Sequence, residues 1–151
     1  MTEYRTAPGG TPKVTYDATA NDSDKTFTVP AGKTWEVISI RVQLTCTATV
    51  GTRLLTILIT DGTNVIARTA RIQLTASQIG NQVWSCLMGN YSASVPTRTL
   101  DDSAANNAQN SDSCPIQFLN AGYTIRALDS AAIDAAADDM IVIIHYIEYD
   151  A

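Results

Sequence analysis

Histidine occurs once in this chain, at position 145, and glutamate three times, at Glu3, Glu36 and Glu148. A Ser-His-Asp or Cys-His arrangement would have to use His145. That residue lies among Ile144, Tyr146 and Ile147 in a stretch that reads as β-strand, and no Gly-x-Ser-x-Gly elbow accompanies it. His145 is therefore read as structural. The glutamates stand in no context that suggests the paired carboxylates of a glycosidase. Cysteine is also scarce: Cys46, Cys86 and Cys114 have no Cys-x-x-Cys spacing, which argues against zinc. A Gly-rich phosphate loop is missing too. These absences point away from an enzyme and imply no cofactor.

Charge is in short supply. Charged residues make up 17% of the chain, against about 25% in ordinary soluble domains. The net charge is −5 and it is unevenly spread. Residues 1–100 hold nine Lys/Arg and six Asp/Glu, whereas residues 101–151 hold Arg126 alone against nine acids. An acidic chain with no basic cluster is poorly suited to nucleic acid. No apolar run approaches the ~20 residues needed to span a bilayer. The first residues lack the basic start and apolar centre of a signal peptide. The expectation is a protein made in the cytoplasm with reduced thiols and no membrane association.

What the chain does have is strand alternation. Over Ile38–Cys46 the residues Ile38, Ile40, Val42, Leu44 and Cys46 alternate with Ser39, Arg41, Gln43 and Thr45. Successive strand side chains point to opposite faces, so this period means one buried and one wet face. Arg53–Asp61 and Met140–Tyr149 are apolar on both faces for much of their length, as expected for central strands or strands under a partner. Thr49–Thr52 reads as a hairpin between the first two of these, and Asp61-Gly62-Thr63-Asn64 as a second hairpin turn. Leu74–Ile79 and Ser130–Asp139 read as short helical turns. Pro30-Ala31-Gly32-Lys33 and Asn120-Ala121-Gly122-Tyr123 are similar turns between strands, suggesting two equivalent corners of a two-sheet fold. Trp35 and Trp84 read as core anchors. About eight strands at short spacing predict an all-β chain, an antiparallel β-sandwich or jelly roll.

Residues 1–24 are polar and rich in Thr, Asp, Pro and Gly, and read as an extended N-terminal arm preceding a single sandwich domain over 25–151. The arm's spaced anchors, Tyr4, Val14 and Tyr16, are the candidate contacts with a neighbouring subunit, where Val14 and Tyr16 could add a strand to a sheet edge. Residues 89–113 read as a projecting loop, with nothing large and apolar over 101–113. Asp129, Asp134, Asp138 and Asp139 crowd one loop, the sort of oxygen-rich cluster calcium takes. The EF-hand pattern is absent, however, and no metal is assigned to them.

The segments Val29-Pro-Ala-Gly-Lys-Thr-Trp-Glu-Val37, Arg53-Leu-Leu with Asp61-Gly62, and Leu119-Asn-Ala-Gly-Tyr-Thr-Ile-Arg-Ala127, with Asp129, Ile133-Asp134 and Asp138-Asp139-Met140, resemble small virion proteins of tailed bacteriophages. The likeness spans roughly residues 25–149 without the 89–113 loop and rests on turn residues. It implies a capsid cement or decoration protein on the exterior of the head, often a homotrimer, with the major capsid protein and its own copies as partners. It supplies no catalytic residues. The competing expectation is a receptor- or carbohydrate-binding module of a tail fibre or tail tip.

Overall fold

A computed structural model describes residues 9–20, 22–69, 71–85, 107–113 and 118–151. Among them there is no helix. Eleven strands run in the order β1 (Thr11–Asp17), β2 (Asp24–Thr28), β3 (Lys33–Thr45), β4 (Arg53–Thr60), β5 (Val65–Arg68), β6 (Ile72–Leu74), β7 (Ile79–Ser85), β8 (Asn107–Ser113), β9 (Phe118–Asn120), β10 (Thr124–Asp129) and β11 (Asp139–Asp150). They form two sheets. The first has the order β1-β11-β3-β7-β8 with β9 also on β3; the second has the order β2-β10-β4-β5 with β6 also on β4. Every pairing is antiparallel except β7–β8, which is parallel.

The core lies between the sheets and follows the alternation. Ile40, Val42 and Leu44 of β3, Val142 and Ile144 of β11, and Leu55, Ile57 and Ile59 of β4 are all buried. Each such side chain contributes on the order of 1.5–3 kcal/mol by leaving water. Trp35 and Trp84 anchor the same cluster, and Trp35 stacks on Tyr146 with ring centroids 4.1 Å apart. The phase of β3 changes once. Trp35 and Val37 face inward, then Ile40, Val42 and Leu44, so Ile38 leaves the inner row. The cause is a bulge where the β11 register slips between His145 and Tyr146, which inserts one residue into the alternation.

Two pairs of connections cross between the sheets. Pro30–Lys33 leads from β2 to β3, and Asn120–Tyr123 leads from β9 to β10. In each turn the Gly takes positive φ, 71° at Gly32 and 85° at Gly122, a conformation open to a residue without Cβ. The turns lie together: β2 pairs with β10, β9 with β3, and Gly122 donates to the Val29 carbonyl at 3.0 Å. They are the two equivalent corners expected from the sequence. At the opposite end, 46–52 carries β3 to β4 and 130–138 carries β10 to β11.

Several sequence expectations need correction. Thr49–Thr52 closes no hairpin, because β3 and β4 belong to different sheets. Leu74–Ile79 and Ser130–Asp139 form turns, with Ser77, Ala132 and Asp134 at positive φ. The described residues hold eleven strands against about eight expected: β1 and β8 fall in stretches read as arm and loop, and the run Val65–Ile72, which reads as one strand, is divided between β5 and β6. Residues 11–17 are an edge strand of the chain's own sheet, so this part of the arm read over 1–24 is joined to the sandwich and does not precede it as a separate segment. Residues 107–113 pair with β7, so the projecting loop read over 89–113 is not uniformly loop; 89–106 lies outside the described residues, as does Tyr4.

Candidate interaction surface

The strand β1, Thr-Pro-Lys-Val-Thr-Tyr-Asp, has little apolar content, yet its alternation sorts it into two faces. It pairs along its whole length with β11, from Thr11 opposite Glu148 to Asp17 opposite Val142. Lys13, Thr15 and Asp17 tie it to its own domain. Lys13 Nζ bonds Glu148 Oε1 at 2.6 Å, and Trp35 Nε1 donates to Glu148 Oε2 at 3.0 Å. Lys13 and then Trp35 hold the Glu148 carboxyl below the usual carboxylate range. Thr15 Oγ1 lies 3.4 Å from the Tyr146 hydroxyl. Asp17 accepts from the Thr19 N–H at 3.0 Å and from Lys25 Nζ at 3.2 Å, and the Thr19 bond above all keeps its carboxyl low.

Lys25 is itself buried, which demands compensation. Its ammonium reaches Asp17, Asp22 and the Thr19 carbonyl at 2.9–3.2 Å, using all three donors. The chain leaving β1 is thereby fastened to β2.

The other face of β1 is different. Val14 is 59% and Tyr16 61% exposed, on the outer surface of the first sheet. Tyr16 stands beside Ile143, which stands beside Arg41 and then Val83; Val14 stands beside His145, which is opposite Ser39. Ile141 and Ile143 are half-buried on this outer face. Of the three candidate contact residues in the sequence, the structure brings Val14 and Tyr16 together as neighbours on one strand. Their strand, however, belongs to its own sheet. Among the described residues β1 is the outermost strand there, so one of its backbone edges faces outward.

The aspartate-rich loop has a different role from the one calcium would give it. Asp138 accepts Arg53 Nε at 2.9 Å and Nη2 at 3.2 Å, with both side chains fully buried. Asp138 also accepts the Thr47 N–H at 2.7 Å. Asp134 accepts the hydroxyls of Thr47 and Thr49 at 2.5 and 2.7 Å, which lowers its pKa. Asp129 accepts the N–H groups of Leu54, Ala131 and Ile133 at 2.7–3.1 Å. These carboxylates lock two sheet-crossing loops together. Among the described residues no group of three or more His, Cys, Asp or Glu side chains is placed to hold a metal ion.

Sequence reading missed the buried cations Lys25 and Arg53. A signal for both was present. Lys25 shares the inward phase of Phe27 and Val29, Arg53 that of Leu55, Ile57 and Ile59, and Asp138 that of Met140, Val142 and Ile144. Each charge is thus one step further along an inward-facing row, and the opposite signs of Arg53 and Asp138 make them partners.

No protein-family model, curated protein or solved structure matches the chain.

Proposed function

We propose that this protein is a structural virion component, a cement or decoration protein that docks on the exterior of a tailed-bacteriophage head. Its partner is the shell of the major capsid protein, and its docking element is the outer face of β1. The observation that carries this reading is the sorting of β1 into an inward face anchored through Lys13, Thr15 and Asp17 and an outward face presenting Val14 and Tyr16 at about 60% exposure. Exposed apolar and aromatic side chains on a rigid element are the usual anchors of protein contacts. The turn sequences that resemble virion proteins support the same reading, as does the all-β, two-sheet body. The low charge suits a surface that is partly covered by partners.

The test is decoration of heads that lack the protein. The double variant Val14→Lys/Tyr16→Lys changes only outward side chains, so it keeps the parent's β-sheet circular-dichroism spectrum while head binding falls at least about tenfold, the scale of losing two apolar anchors. Parent-level decoration by this variant would remove β1 from the mechanism.

A further inference from the structure

The edge of β1 is self-complementary, and we infer that it pairs with β1 of a second copy around a two-fold axis at Thr15. The direction of its backbone groups is fixed by the neighbouring strand. Met140 donates its N–H to the Asp22 carbonyl at 3.0 Å, on the β1 side of β11. Backbone groups along a strand alternate in direction, so Val142 and Ile144 also point toward β1, where they face Asp17 and Thr15. Thr15 and Asp17 therefore spend their N–H and C=O groups on β11. Val14 and Tyr16 point theirs away from the sheet.

The antiparallel register centred on Thr15 uses all of those outward groups within the strand itself, whereas centring on Tyr16 would set Val14 opposite Ala18, beyond the end of β1. Centred on Thr15, it sets Val14 opposite Tyr16 of the second copy and Tyr16 opposite its Val14, both as hydrogen-bonded pairs. Centring on Val14 would place Pro12, which has no N–H, opposite Tyr16 and leave a bond unmade. Side chains agree with the Thr15 centre. On the outer face it makes two Val–Tyr cross-strand pairs, of the β-branched–aromatic kind that stabilises sheets. On the other face it brings Lys13 opposite Asp17 of the second copy, a pairing of opposite charges made twice by symmetry. The two first sheets become one continuous sheet, and the exposed Val14–Tyr16 patch doubles.

This assembly closes at two copies, in place of the homotrimer expected from the sequence. It rests on the geometry of β1 and not on the virion reading, and the mass in solution tests it without any capsid.

The experiment uses the full chain. Sedimentation should give twice the 16.2 kDa chain mass. Thr15→Cys should crosslink copies quantitatively under mild oxidation, since directly opposed non-hydrogen-bonded residues lie about 4.5 Å apart, within disulfide reach. The parent, with its native cysteines, and Thr11→Cys, which is out of register, should not crosslink. Val14→Pro removes an outward N–H and should raise the dissociation constant by about tenfold or more, the effect of two lost hydrogen bonds per dimer. A monomer at all concentrations, a trimer, or a Thr15→Cys protein that stays unlinked would overturn the pairing. Should Val14→Pro fail to fold, the Thr15→Cys result still decides it.

Discussion

Arg53 donates to both oxygens of Asp138 from inside the protein, and neither side chain has any exposure. The other guanidinium donors reach the Thr49 and Gly51 carbonyls at 2.6 and 3.1 Å and Thr47 Oγ1 at 3.1 Å. All five N–H donors of an arginine are therefore used. The bonds to Asp138 raise the guanidinium's pKa further, so Arg53 stays charged. A buried charge is tolerable only when satisfied in this way. The pair closes the end of the sandwich where 46–52 and 130–138 cross between sheets.

Removing one member leaves the other charged and unpartnered. Asp138→Ala should cost about 3–5 kcal/mol in urea unfolding. The apolar double variant Arg53→Met/Asp138→Leu should cost far less than the two single changes added together, because it removes both charges. Additivity would show that the two residues act separately.

Two valines separate inside from outside. Val42 is 3% exposed and Val50 92%. Val42→Asp buries an unpaired carboxylate and should cost several kcal/mol, enough to abolish folding. Val50→Asp, in the 46–52 connection, should leave the unfolding free energy within about 0.5 kcal/mol of the parent, as ordinary surface changes do. Thermal melts of the two variants check the assignment of faces.

Stability should fall in acid. Asp17, Asp134 and Glu148 all have lowered pKa values in the folded state. A carboxyl whose folded pKa lies below its unfolded one stabilises the fold fully above the unfolded value. That contribution disappears as pH drops through the folded value. The urea midpoint should be flat from pH 7 to about 5 and decline below about pH 4. Glu148→Gln should start lower at pH 7 and decline less, because it has no charge left to lose.

Cys46 is a free, buried thiol at the end of β3. Burial, with Asp138 adding to it, pushes its pKa up to about 11, so little thiolate exists near neutrality. In a variant with Cys86 and Cys114 replaced by serine, a thiol reagent at pH 8 should react only at the rate of unfolding. Fast labelling of the native state would contradict the burial.

Period two was the most legible feature of the sequence. It identified β3 and its inward residues Ile40, Val42 and Leu44, while continuous apolar runs marked β4 and β11. Turn residues marked the corners at Gly32 and Gly122 and the β4–β5 hairpin, where Asp61 accepts from the Thr63 and Asn64 N–H groups. Pairing between strands was not legible, since alternation fixes a face but not a neighbour. Thus Thr49–Thr52 resembles a hairpin yet changes sheets, and β1 reads as an arm because Thr, Pro, Lys and Asp hide a strand whose anchors are polar. The aspartate loop resembles a cation site because sequence shows the carboxylates without the Thr47, Thr49 and Leu54 donors that occupy them. Val14 and Tyr16 were visible as anchors, but that both face outward on the sheet edge depends on pairing with β11.

The virion assignment is tested most directly by labelling purified particles with an antibody to this protein and imaging them. The proposed role predicts signal over the whole head surface. Signal confined to the tail, or none on the particle, would contradict it.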